Sequence, residues 1–336
     1  MPVEAAVTSI SWIPSEAISG LTKAPFSAGV AHYDDPPPDV LPRGEQSLTE
    51  LRDADRFRFA NHLGAVVQFD DDGQPTSWEL SGGGMIGSTT MRVGRTRRAT
   101  FEATPLDDLR PEPEIGDGWI RFRQTAGGRT GVPAPRRVNH APFVQWQAPL
   151  AWTTLELTVR SDGSSEGSLA GASPFPRHWL YGWDGTLMAK SGMVDFKDWY
   201  RSAFGKHSPW GDEDSPAMAT AVETALEREL SLEVMRGGAE PKIVTHKAGR
   251  ALMTQGDAGD EVMLVLDGVV SVAVNGEVLA ELGPGALLGE RAAFEGGIRT
   301  ATITAATKVK VACVPAASLD ADSLVELSDG HRREER

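Results

Sequence analysis

Gly289-Glu290-Arg291-Ala292-Ala293-Phe294-Glu295-Gly296-Gly297-Ile298-Arg299-Thr300-Ala301 sets one carboxylate and one guanidinium on either side of a small, glycine-rich bend. Acids and guanidinium groups are poorly tolerated in an interior without partners, yet Glu290 and Arg299 stand in a stretch otherwise rich in Gly and Ala. The combination suits a sugar phosphate. A buried Arg makes a planar, bidentate contact with two free phosphate oxygens, and backbone N–H groups opening a short helix add donors and a positive dipole end. The carboxylate can then accept from a sugar hydroxyl. A ring carrying one negative charge and one free hydroxyl fits this set better than a triphosphate, which would need more cations and usually a metal.

The pattern continues upstream. Gln255-Gly256-Asp257-Ala258-Gly259-Asp260 comes first, then Asp267-Gly268-Val269-Val270-Ser271-Val272, then Leu279-Ala280-Glu281-Leu282-Gly283-Pro284-Gly285-Ala286-Leu287-Leu288 running into Gly289-Glu290. By the order and spacing of these elements, residues 240 to about 318 resemble a cyclic nucleotide-binding domain, and the quoted stretch resembles its phosphate-binding cassette. The resemblance implies a jelly roll with flanking helices and a 3′,5′-cyclic nucleotide as ligand, cAMP in preference to cGMP, with no cofactor or metal. It implies that Gly289 and Glu290 meet the ribose, Glu290 taking the 2′-hydroxyl, and that Arg299 takes the phosphate. Ala292 and Ala301 match small residues whose backbone amides approach that phosphate. The separation of Glu290 from Arg299, 299 minus 290 or nine positions, fits the short form of the cassette. Arg291 stands where an aliphatic residue is usual, and Ile298 where the family has Pro; Arg291 bears on how the cassette packs. Thr300 supplies a hydroxyl that reaches the guanine amino group in some relatives but is also common in bacterial cAMP binders.

With 336 residues and 40% apolar content, the chain is long enough for two domains, each with its own core. A net charge of −14 argues against a nucleic-acid surface and against adhesion to anionic lipid, since both draw on clustered Lys and Arg. Cys313 is the one cysteine, which excludes an intrachain disulfide, and its place in an alternating run reads as a small core residue. No basic segment followed by an apolar run opens the chain, and no window approaches a membrane span, so a cytoplasmic protein is expected.

All nine tryptophans precede residue 211. This asymmetry predicts three parts: an antiparallel β-rich domain over 1–210, a connecting helix over 211–238 and the cyclic nucleotide-binding part over 239–336. Ser215 and Pro216 read as a cap and first helical residue. Ala219, Val222, Leu226, Leu230 and Val234 then recur at helical spacing to about Arg236. From Ile243 to Val314 short alternating runs separated by Asn275-Gly276 and Gly283-Pro284-Gly285 predict a β-sandwich or jelly roll. A short helix is expected around 323–327, and the tail is too short for a helix-turn-helix module. The N-terminal part reads as a sandwich or barrel from strand-like runs such as 65–69, 76–80, 89–93, 119–123 and 154–159, with Pro-rich 132–149 laid over its surface or mouth.

Few of its motifs carry chemistry. Gly82-Gly83-Gly84-Met85-Ile86-Gly87 satisfies G-x-G-x-x-G formally, but β-branched residues follow where a dinucleotide site needs a helix, so a turn or bulge is expected. His32, His62, His140, His178 and His207 lack the spacing of metal ligands. Ser165 sits in a polar hairpin that nothing would strain into a nucleophile elbow. Arg92, Arg95, Arg97, Arg98, Arg121 and Arg123 could form one face, with solvated balancing of local carboxylates the favoured role. The aromatic stretch 173–181 reads as core or rim packing ahead of a barrel closure over an apolar molecule. Two readings follow: a non-enzymatic sensor in which a cyclic nucleotide moves the 216–236 helix to change what the N-terminal part contacts, or an enzyme under cyclic-nucleotide control with an active site among residues 1–210.

Overall fold

Strands dominate both halves of the chain, as the alternating runs and their Gly- and Asp-bearing turns anticipate. The computed structural model describes residues 2–14, 34–42, 45–54, 56–93, 97–137, 144–191, 209–210, 219–221, 230–231, 233–235, 241–293, 297–322 and 324–325. Two compact units emerge, one comprising Met1–Ala189 with Val194–Met218, the other Lys190–Met193 with Ala219–Arg336.

The chain up to Ser191 forms β1 (Pro2–Trp12), α1 (Glu45–Asp53), β2 (Phe59–Phe69), β3 (Pro75–Ile86), β4 (Thr89–Val93), β5 (Arg97–Phe101), β6 (Thr104–Pro105), β7 (Glu114–Gly116), β8 (Trp119–Arg129), β9 (Ala134–Arg137), β10 (Val144–Gln147), β11 (Leu150–Arg160), β12 (Ser165–Ala172), β13 (Arg177–Tyr181) and β14 (Leu187–Ser191). One sheet runs β14-β13-β1-β2-β3 and a second β12-β11-β8-β6, with β7 also on β8. Their inner faces meet as an antiparallel sandwich. Val7, Leu63, Ala65 and Val67 pack with Ile120, Phe122, Leu155, Leu157 and Val159, and full burial of each large aliphatic stabilises by roughly 1.5–3 kcal/mol.

Strand β1 gave no alternating signal because it is buried from Ala5 through Trp12. Its polar residues are enclosed with partners: Ser9 Oγ meets Thr153 Oγ1 at 2.9 Å, and Ser11 Oγ meets His178 Nδ1 at 2.6 Å. The glycine run 82–84, expected as a turn or bulge, is corrected to part of β3 in regular pairing with β2. Gly82 takes φ +86°, and a Cβ there would collide with the His62 carbonyl, so glycine is needed for close backbone approach. Residues 173–181 resolve to core packing, with Phe175 and Tyr181 buried and Trp179 edge-on to Trp12 at 5.2 Å. The Pro-rich segment contributes the β9–β10 hairpin.

In the second unit, β15 (Ala219–Ala221) precedes β16 (Lys242–His246), β17 (Ala251–Met253), β18 (Glu261–Asp267), β19 (Val270–Val274), β20 (Glu277–Leu282), β21 (Leu287–Leu288), a 3₁₀ turn (Glu290–Ala293), β22 (Thr302–Ala305), β23 (Val309–Pro315) and a second 3₁₀ turn (Ala316–Ser318). The sheets β16-β23-β18-β21 and β17-β22-β19-β20 make the jelly roll. Positive φ at Asn275 and Gly276 closes the β19–β20 hairpin as a two-residue loop requires. The helix expected from Pro216 to Arg236 is not one element, because Ala219–Ala221 is a strand, while 230–231 and 233–235 are helical. Ala and Thr differ by less than about 1 kcal/mol in helix preference, so tertiary pairing decides such a segment. Pro216 and Val222 to Glu229 lie outside the described residues. The tail is helical at 321–322 and 324–325.

Candidate functional site

Strand β21 delivers the chain to Gly289, whose φ of +86° turns it sharply into the 3₁₀ turn begun by Glu290. The far side of the bend is clamped by the 255–260 loop. Gly256 N–H donates to the Arg299 carbonyl at 2.8 Å, Arg299 N–H to the Asp257 carbonyl at 2.8 Å and Gly259 N–H to the Gly297 carbonyl at 2.9 Å. The motif of 255–260 thus acts as a backbone splint that fixes where Arg299 starts.

The Arg299 side chain is then trapped. Its residue is 6% exposed, and Nη1 donates to the carbonyls of Glu261 at 2.9 Å and Gly289 at 3.1 Å. A Cβ at Gly259 or at Gly289 would collide with the guanidinium, so both glycines are spaces that the cation fills. Among the described residues no carboxylate forms an ion pair with Arg299, and its Nε and Nη2 have no protein acceptor. A guanidinium withdrawn from water and left with donors in hand is arranged for an anion. Glu290, 4% exposed, stands one residue beyond Gly289.

All seven residues expected to bind ligand are brought together. Gly289, Glu290, Arg291, Ala292, Arg299, Thr300 and Ala301 line one cavity of about 270 Å³. The opposing wall is apolar and was missed by sequence reasoning: Met253 of β17, Val272 of β19, Leu279 and Leu282 of β20 and Ile303 of β22. No sequence signal marks these positions, because an apolar strand residue alternates in the same way over a core or over a cavity. The cavity therefore has a charged end made from one continuous stretch and an apolar end assembled from four strands. Cys313 lies beneath it in the core, where burial raises its thiol pKa above the ordinary value.

The family profile described as the cyclic nucleotide-binding domain matches residues 243–321. Those residues form a cyclic nucleotide-binding domain. Over 67 residues, 20% of this chain, it is 45% identical to a cyclic nucleotide-gated potassium channel of Mesorhizobium japonicum, and the chain spans 18% of that channel's length. Among solved structures, the N-terminal domain of a transcriptional regulator from Streptomyces coelicolor A3(2) is 32% identical with a TM-score of 0.26, covering 33% of this chain and 86% of that one. The catabolite activator protein of Thermus thermophilus is 26% identical with a TM-score of 0.27, covering 33% of this chain and 56% of that one.

The N-terminal candidates fare differently. His178 is enclosed, its Nε2 donating to the Ser173 carbonyl at 2.7 Å, which leaves Nδ1 to accept from Ser11. Burial lowers its pKa from 6.5 to about 4. His62 Nδ1 lies 2.7 Å from Thr8 Oγ1. His32, His140 and His207 lie outside the described residues, as does Arg95. Arg121 and Arg123 pair with Glu114 and Glu156, the behaviour of a solvated face. Among the described residues no cluster of His, Cys, Asp or Glu could hold a metal, and no helix is long and apolar enough to cross a membrane.

Proposed function

We propose that this chain is a non-enzymatic cytoplasmic sensor that binds cAMP, in preference to cGMP, in its cyclic nucleotide-binding domain and thereby regulates its N-terminal β unit. The observation that carries the reading is the buried, anion-ready guanidinium of Arg299 in one cavity with Glu290. A cyclic phosphate supplies the missing acceptor with a single charge, and the adjoining ribose offers its 2′-hydroxyl to Glu290. The base then lies toward the apolar wall.

The coupling route runs through the cavity's own rim. Leu287, two residues before Gly289, belongs to a second apolar cluster with Leu230, Val234, Val262, Leu264, Ala312 and Val314. Leu230 and Val234 belong to the helical residues that follow β15, so closure of Gly289 and Glu290 on a ligand shifts the ground against which this helical segment packs. Regulation requires that the two arrangements differ in ligand affinity. The test is calorimetry of the full chain with cAMP and cGMP, paired with limited proteolysis of the N-terminal unit. Binding of cAMP with an altered cleavage pattern is expected; no heat with either nucleotide rejects the reading.

A further inference from the structure

We propose that the N-terminal unit carries a ligand site of its own, for a small neutral molecule with an apolar body and one hydroxyl or carbonyl group. A cavity of about 380 Å³ lies on the outer side of β1 and β2, lined by residues that include Thr8, Leu41, Leu48, His62, Ser81 and Trp183. This is within the range of small-molecule sites, which are mainly apolar with a few placed polar groups.

Its floor exists because the sequence uses small residues where strands usually carry large ones. Ala6 of β1 and Ser81 of β3 line it directly. Gly64 pairs with Ser81 across β2 and β3, and a Cβ on Gly64 would strike the Ser81 hydroxyl. Gly182 and Gly185 bring the turn after β13 to the edge, and a Cβ on Gly185 would strike the Leu41 carbonyl. Gly64, Ser81, Gly182 and Gly185 are thus the small residues that leave this space open.

The walls define the ligand class. Leu41 and Leu48 are buried against the body of the unit, whereas Trp183 both lines the cavity and is 50% exposed, as a rim residue would be. Among the described residues none that lines the cavity is Lys, Arg, Asp or Glu, so a charged ligand would be desolvated without a counterion from them. The polar side chains of the described lining are the hydrogen-bonded Thr8–His62 pair, the Trp183 indole at the rim and the Ser81 hydroxyl, for which no partner occurs among the described residues. Ser81 is the anchor for the ligand's hydroxyl or carbonyl.

The test titrates the full chain with 1-naphthol, naphthalene and 1-naphthoate, following probe and tryptophan fluorescence. Saturable 1-naphthol binding below about 1 mM is expected, with naphthalene weaker by about two- to tenfold for want of one hydrogen bond and 1-naphthoate weakest. Ser81→Phe should abolish 1-naphthol binding, and Ser81→Ala should weaken it to the level of naphthalene. Both variants should keep the wild-type cAMP affinity, which separates this site from the nucleotide site. Absence of saturation, equal binding of 1-naphthoate, or unchanged 1-naphthol affinity in Ser81→Phe would overturn the proposal. Should Ser81→Phe misfold, Ser81→Ala decides alone, and full retention of the hydroxyl preference in it would overturn the assignment.

Discussion

The carbonyl of Gly289 accepts a hydrogen bond from Nη1 of Arg299 at 3.1 Å, across ten positions of sequence. The glycine that turns the chain toward Glu290 is thus tied to the guanidinium on the other side of the cavity. The two ends of the cassette are one mechanical unit before any ligand arrives.

Arg299→Ala is expected to reduce cAMP affinity at least tenfold, since a charge-assisted phosphate contact is worth about 2 kcal/mol or more. Arg299→Lys should rescue little, because an ammonium cannot reach the phosphate with a planar pair of donors. Calorimetry on both variants checks this, and wild-type affinity in Arg299→Ala would remove the residue from the site.

Gly259→Ala tests the space that the cation fills. Its φ is not in the left-handed region, so the added methyl acts through collision with the buried Arg299 guanidinium, which must leave its place between the Glu261 and Gly289 carbonyls. The expected result is a loss of cAMP affinity by about tenfold or more with a stability cost of about 1–3 kcal/mol, the scale for buried carbonyls that lose their donor. Gly289→Ala should lose both, because its φ of +86° also strains any side chain.

Glu290→Gln should weaken cAMP while leaving 2′-deoxy-cAMP nearly unchanged, because only the former presents the hydroxyl that the carboxylate would accept from. A loss of about 1.5–3 kcal/mol is the scale for a hydrogen bond to a charged group. Equal losses for both ligands in parallel titrations would show that Glu290 does not read the ribose.

The N-terminal unit should weaken in acid through His178. Its folded pKa is about 4 against 6.5 for the free side chain, so the unfolded chain binds the extra proton between those values. Stability is fully present above pH 6.5 and falls toward pH 4, by about 3 kcal/mol over the window. Denaturant melts at pH 7 and 5 should show this slope, and His178→Gln should flatten it while starting from a lower stability. An unchanged slope in the variant would assign the effect to other groups.

Cys313 should resist thiol reagents in the folded chain. It is buried, and desolvation raises its pKa, so little thiolate is present or accessible. Labelling with a chromogenic disulfide should be slow until denaturant is added. Rapid native labelling would place the thiol at the surface.

What the sequence disclosed follows from how locally each feature is encoded. Glu290 and Arg299 are close in sequence, and their chemistry is rare enough in a Gly- and Ala-rich stretch to announce itself. The reason for Gly259 was hidden, because the guanidinium it accommodates is contributed from forty positions further on. Val272, Leu279 and Ile303 were equally silent as cavity walls, since an apolar strand residue reads the same whether it faces a core or a ligand. In the N-terminal unit the half-exposed strands showed their alternation. Strand β1 did not, because burial on both faces replaces alternation with a mixed run whose Ser and Thr residues are satisfied by partners far away. The helical stripe through Ala219 failed for the opposite reason: periodicity was present, but pairing overrode it.

The Arg299 guanidinium, which no carboxylate among the described residues pairs, has a thermodynamic echo. A domain that keeps one unneutralised charge in its interior is stabilised by whatever completes it, and saturation at a hundred times the dissociation constant adds about 2.7 kcal/mol against unfolding. Resistance to heat and to proteases would then track the concentration of the messenger, so that the amount of intact protein, as well as its shape, keeps a record of the signal.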